Sequence, residues 1–128
     1  MAARPDPAED VVLTRDLGDL NRLRIWLRER LSGLGVDVDE VVVMATELVT
    51  NVIRHTTSAP RVRLSIGSDR LRIVVFDDAT EVPILQPLDP SRPGGNGLRI
   101  VDTWSDSWGT EATAEGGKAV WFTVPTGR

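Results

Sequence analysis

The segment VDEVVVMATELVTNVI (residues 38–53) constrains the fold more than any other part of the chain. Val41, Met44, Ala45, Leu48 and Val52 recur at helical spacing and make one apolar stripe. The spacing predicts a helix over about residues 39–56, with Asp37 or Asp39 as its cap. Such a helix must bury its stripe against another layer. Glu47, Asn51 and His55 follow one another in steps of four. Each step advances about 400°, a net turn of about 40°, so they form a slowly drifting polar line beside the apolar stripe. They are expected to border a cleft next to the core. Spacing alone equally allows a solvated helix edge on which Glu and His pair weakly. The chemical alternative is a site for a hard cation or a phosphate. Asn supplies a neutral carbonyl oxygen, Glu a carboxylate that can act as a base, and Mg²⁺ takes one or two protein ligands plus phosphate oxygens.

The rest of the chain has to decide between these. At 128 residues it suits one domain with one core. The net charge of -4 argues against a nucleic-acid partner, which usually meets a basic surface. The absence of cysteine excludes disulfides and thiolate metal sites. With a single histidine, a histidine-rich metal site is equally disfavoured. No apolar run is long enough to span a bilayer. The N-terminus, MAARPDPAED, lacks the apolar core of a secretory signal, so a cytoplasmic location is expected and no membrane partner. Fourteen arginines stand against one lysine, Lys118. Genome composition is explanation enough, and no function is read from it.

Residues 1–10 are rich in Pro, Asp and Ala and read as a flexible tail ahead of a single domain over 11–125. VVLT (11–14) reads as a short strand. Residues 16–31 carry Leu17, Leu20, Leu23, Leu27 and Leu31 on one stripe, a helix with Asp16 as N-cap and Gly33 as stop. Ile25 and Trp26 lie off that stripe, as extra buried face or as partner surface. RVRLSIG (61–67) and the largely apolar LRIVVF (71–76) read as a hairpin, the second strand central in a sheet. Residues 77–97 contain Pro83, Pro87, Pro90 and Pro93 and three glycines, which excludes regular structure. A loop that long in a small domain is often functional. LRIVDTW (98–104) follows as a short helix, and 107–113 with 118–125 as a second hairpin across AEGG. Helices and strands that do not strictly alternate predict an α+β fold. The expected form is a two-layer sandwich, a mixed β-sheet with helices on one face.

Two more pieces fall at suggestive places. VVFDDAT (74–80) puts Asp77 at a strand end facing the long loop. GGNGLRIVD (94–102) is a glycine cluster opening a helix, a setting that exposes backbone N–H groups and suits phosphate. The ordered set is far more specific than any one part. It comprises E-x-x-x-N on a helix, Asp at a strand end, a long loop, then G-x-G before a helix. That set resembles the GHKL, or Bergerat-fold, ATPase superfamily. Within it, the short chain resembles the anti-sigma-factor serine kinases over roughly residues 10 to 125, including the closing WG…GGKAVWF (108–122).

The resemblance implies a histidine-kinase-like ATPase fold with an ATP lid at about 78–95, and ATP and Mg²⁺ as cofactors. Asn51 matches the Mg²⁺ ligand that bridges to the triphosphate. Glu47 matches the general base of members with kinase activity. His55 matches the basic position closing the same box. Asp77 matches the acceptor of the adenine amino group. Ala79, Gly95, Asn96, Gly97 and Leu98 complete the nucleotide-binding set around the acidic box and the lid hinge. The acidic box is commonly D-x-G, and here Ala79 replaces the glycine. Its methyl crowds the nucleotide, and Asn96 removes a cation that some relatives carry. The function implied is an anti-sigma factor with serine kinase activity. Its partners would be a sigma factor and a small antagonist protein, and it would form a homodimer. The alternatives are a nucleotide-responsive binding module without kinase activity, and a fold that binds partners and no nucleotide. A sensory histidine kinase is not expected, because no phosphoacceptor helix pair accompanies the box and His55 lies inside it.

Overall fold

A computed structural model describes residues 7–78 and 97–127. The elements are β1 (Ala8–Val12), α1 (Asp19–Leu31), α2 (Val38–His55), β2 (Arg61–Ile66), β3 (Arg70–Asp77), α3 (Gly97–Trp104), β4 (Ser107–Ala112) and β5 (Lys118–Pro125). Most of the expected lid, with Ala79, Gly95 and Asn96, lies outside the described residues. No helix among them is long and apolar enough to cross a membrane.

α2 forms as its pattern predicts. The Asp37 side chain accepts from the Glu40 N–H at 3.1 Å, and Val41, Met44, Ala45, Leu48, Val49 and Val52 are buried. Asp39 and Glu40 in the first turn and Arg54 and His55 in the last complement the helix dipole. Its C-terminal carbonyls are satisfied from a distance. The Arg15 guanidinium donates to Thr56 O at 2.7 Å, Ser58 O at 3.0 Å and Ile53 O at 2.9 Å.

α1 starts three residues later than the sequence suggests. Asp16 is not its cap, because the Asp16 carboxylate accepts from the Gly18 N–H at 2.8 Å and is spent on its own turn. Gly18 takes the cap position without a side chain. Leu20, Leu23, Leu27 and Leu31 are buried as expected, whereas Leu17 precedes the helix and is exposed.

The first strand begins at Ala8, inside the stretch read as a tail. Composition misleads here because an edge strand is held by backbone pairing with a distant partner. Ala8 stands opposite Ser65 and Val12 opposite Arg61. Its acids are used as well. Glu9 pairs with Arg30, and Asp10 with Arg61 and Arg63. The Arg63 hydrogen bond, with Arg61 behind it, holds the Asp10 carboxyl below its ordinary value.

The five strands run in the order β1-β2-β3-β5-β4, with β3 central as its apolar run predicts. The α+β two-layer architecture is as expected, but the sheet is antiparallel at every pairing rather than mixed. The reason is topological. Two helices separate β1 from β2. Arg28 at the end of α1 pairs with Asp39 at the start of α2, and Arg15 before α1 caps the end of α2. Down one helix and back up the other, the chain re-enters the sheet reversed. β3 and β4 run the same way, each antiparallel to β5, which inserts between them.

Strand alternation sorts the sheet into two faces. Val62, Leu64, Leu71, Ile73, Val75, Val120, Phe122 and Val124 are buried in one core with the leucines of α1 and the apolar stripe of α2. Arg61, Arg63, Arg72, Phe76 and Trp121 fall on the opposite parity. There Arg61 stacks 3.9 Å from the Phe76 ring centroid and Arg72 4.6 Å from that of Trp121. These stacks shield the rings on the face the helices leave open.

Candidate functional site

One end of the sheet gathers the chemistry-bearing residues. Glu47 and Asn51 lie one turn apart on α2, both partly buried. Gly97, the first residue of α3, lies directly against them. A Cβ built on Gly97 would stand 3.1 Å from Glu47 Oε2, 3.2 Å from Glu47 Cβ and 3.3 Å from Asn51 Nδ2. The start of α3 therefore meets the polar edge of α2 with space for a hydrogen and little more. Leu98 follows with its side chain in the core, so a ligand at the helix start meets its backbone rather than its side chain. Val101, one turn on, anchors α3 against the same core. His55 ends α2 and is exposed.

The end of β3 reaches the same place through a different set of contacts. Three residues past α2, the buried Ser58 hydroxyl accepts from the Asp78 N–H at 3.1 Å. That bond ties the α2–β2 connection to the end of β3. Asp77, the last residue of β3, is 7% exposed. Its cross-strand partner is Lys118, the first residue of β5. Lys118 Nζ lies 3.4 Å from Asp77 Oδ2, a charge pair rather than a short hydrogen bond. Gly117 makes this approach possible. A Cβ there would fall 2.1 Å from Asp77 O and 2.8 Å from Asp78 Cα, inside any allowed contact.

The sequence pattern names Glu47, Asn51, His55, Asp77, Gly97 and Leu98; the fold seats Gly97 against Glu47 and Asn51, and ties the end of β3 to the connection just past α2. Three contributors escape it: Ser58, Gly117 and Lys118. Ser58 sits in a connector with no periodicity. Gly117 reads as an ordinary turn residue in AEGG, although its role is close approach. Lys118 carries the one available signal, as the only lysine in an arginine-rich chain.

The donor set limits what the site can hold. Among the described residues no group of three or more His, Cys, Asp or Glu is placed to hold a metal by itself. A hard cation here would take the Asn51 carbonyl and complete its shell with ligand oxygens and water, as Mg²⁺ does beside phosphates. The cradle at Gly97, which a side chain would fill, and the N–H groups that open α3 suit an anion at the same place. The residues present therefore fit a magnesium-bound phosphate group. Asp77 is an acceptor suited to an amino group in a site shielded from water.

Residues 36–128 match the family described as histidine kinase-, DNA gyrase B-, and HSP90-like ATPase. Two solved structures share the fold. The histidine kinase domain of the blue-light activated histidine kinase EL346 from Erythrobacter litoralis superposes with a TM-score of 0.52 at 15% identity. The match covers 98% of this chain and 66% of that one. The histidine kinase domain of the E. coli osmosensor EnvZ superposes with a TM-score of 0.52 at 14% identity, covering 99% of this chain and 92% of that one. At these identities the likeness is one of fold. No curated protein matches the sequence significantly.

Proposed function

The chain belongs to the histidine kinase-, DNA gyrase B- and HSP90-like ATPase family, and from that premise we propose that it is an ATP-binding regulatory protein. Its finer role in this reading is that of an anti-sigma factor with serine kinase activity towards a small antagonist protein. The observation that carries the nucleotide reading is the seat of Gly97 on Glu47 and Asn51. The serine kinase reading rests on the resemblance of the ordered motif set and on Glu47 standing beside Asn51.

The roles follow from the chemistry of each group. Asn51 would hold Mg²⁺, which neutralises phosphate charge as the transferred group leaves. The first-turn amides of α3, from Gly97 onward, would bind phosphate oxygens. Glu47, one turn before Asn51, would accept the proton of the attacking serine hydroxyl. Asp77 would accept from the amino group of adenine, in a position where water cannot compete. A sigma factor, an antagonist protein, a second copy of the chain and a cytoplasmic setting belong to the same proposal.

A second reading is a nucleotide-responsive binding module without phosphotransfer. The burial of Asp77 behind a charged partner favours it, since that arrangement serves binding and does nothing for proton transfer. One pair of variants tests both. Thermal unfolding with and without Mg-ATP should show a clear rise in Tm for the native chain. A ligand at a hundredfold excess over its Kd adds about 2.7 kcal/mol. Asn51→Ala should abolish that rise, and a rise that survives the substitution would remove Asn51 from the site. Glu47→Ala should keep the Mg-ATP response and lose phosphotransfer to serine. Phosphotransfer at the native rate in that variant would remove Glu47 as the base, and no phosphotransfer by the native chain would leave only the binding module.

A further inference from the structure

We propose that Lys118 is a second base-reading residue, donating to the ring nitrogen that flanks the amino group accepted by Asp77. The inference rests on the nucleotide reading above and adds to it a residue and a selectivity.

Lys118 and Asp77 face each other in register, on the strand parity that carries Ile73, Val75, Val120 and Phe122 into the core. A charged pair is a poor choice for stability at such a position. Desolvation costs about as much as the attraction returns, and an apolar cross-strand pair of similar volume would serve as well or better. The pair therefore calls for a use beyond holding β3 to β5, which the backbone ladder and the close approach at Gly117 already do.

The two partners are not equally accessible. The Lys118 side chain is 13% exposed and that of Asp77 1%. The ammonium is the member of the pair that a ligand meets first. It is a donor only, with three N–H bonds, and the carboxylate 3.4 Å away uses at most one of them. Side by side, the two groups present an acceptor next to a donor. A purine whose amino group lies beside a ring nitrogen presents the matching donor next to an acceptor, at N1 on one side and N7 on the other. A carboxylate alone reads the amino group. The pair reads the amino group and its neighbour together.

The identity of the cation supports this. In a chain with fourteen arginines, the one lysine stands here. An arginine in its place would close both prongs of its fork on the carboxylate and saturate it. A lysine makes a point contact and keeps N–H bonds of its own for a ligand.

The test pairs protein variants with ligands altered by one atom. Binding of Mg-ATP, Mg-1-deaza-ATP and Mg-7-deaza-ATP is measured on the native chain, on Lys118→Met and on Lys118→Arg. The native chain should bind one deaza analogue about tenfold more weakly than ATP, the usual loss when a buried donor is left unpaired. Lys118→Met should bind ATP about tenfold more weakly and no longer distinguish that analogue from ATP. Lys118→Arg keeps a cation against Asp77, and with it the fold, and should lose the same discrimination. Equal affinity of the native chain for all three nucleotides would overturn the proposal, whatever the variants do. So would a loss in Lys118→Met that is the same for ATP and both analogues, the mark of a purely structural role, or a gain in ATP affinity, the mark of a competing counter-ion. If none of the nucleotides binds the native chain, the nucleotide reading itself falls. Binding without coupling to residue 118 sinks this inference alone.

Discussion

Two glycines frame the site, and they differ in what they tolerate. At Gly117 the obstacle is backbone, the Asp77 carbonyl, which cannot move without shifting the end of β3. Gly117→Ala should therefore cost about 2 kcal/mol or more in chemical denaturation, as a strained close approach does. At Gly97 the obstacles are the Glu47 and Asn51 side chains, which can yield by a few tenths of an ångström. Gly97→Ala also gains helix propensity of up to about 1 kcal/mol. Its Tm without ligand should move little, while Mg-ATP affinity falls about tenfold as Asn51 is pushed aside. Equal loss of stability in the two variants would contradict the distinction. The sequence shows both glycines and neither reason. The G-x-G cluster points at Gly97 through its motif, but what faces each glycine is a matter of tertiary contact.

At the scale of elements, α2 depends on a residue thirty-eight positions before the nearest carbonyl it caps. Arg15 bonds three carbonyls where the helix ends, beside His55 and just past Asn51. Arg15→Ala should cost about 1 kcal/mol and raise amide exchange in the last turn of α2 more than in the first. A uniform change along the helix would show that the cap is not local. Elements whose signals are local were legible: α2, the two hairpins and α3 lie within a residue or so of where the spacing of residues 39–56, 61–76, 98–104 and 107–125 puts them. Elements fixed by distant partners were not. β1 is a strand because residues 61–65 pair with it, and nothing in Ala8, Glu9 and Asp10 announces that. Asp16 has the composition of a helix cap, but Asp19 is the residue that receives the Thr14 N–H, at 2.8 Å, and opens the helix. The antiparallel order is likewise a property of how the helices fold back, which no window of sequence contains.

At the scale of the whole molecule, three acids at the β1 edge and the start of α1 are held below their ordinary values. Asp19 is held down to about 2 from an ordinary 3.8, first by the Arg22 hydrogen bond and then by the Thr14 N–H. Arg30 lowers Glu9, and Arg63 with Arg61 lowers Asp10. A depressed carboxyl contributes stability that is complete above its unfolded value and lost as the folded value is passed. Stability should thus be flat above about pH 5 and fall between about pH 4 and pH 2. The loss should begin where these acids lie, at β1 and the start of α1, ahead of the β3–β5 centre. Proton-linked denaturation curves with amide exchange check this, and a centre that loosens first would refute it. In the ligand-free chain these ion pairs pin the β1 edge of the sheet, at the opposite side from β4.

β5 follows every other element in chain order yet lies inside the sheet, between β3 and β4. During synthesis the growing polypeptide therefore offers β3 with one side unfilled until β5 is made. Gly117 and Lys118 arrive with that strand, so Asp77 gains its cross-strand neighbour only then. Under the proposed role of this pair, a nascent chain reads no nucleotide with it before β5 has joined the sheet.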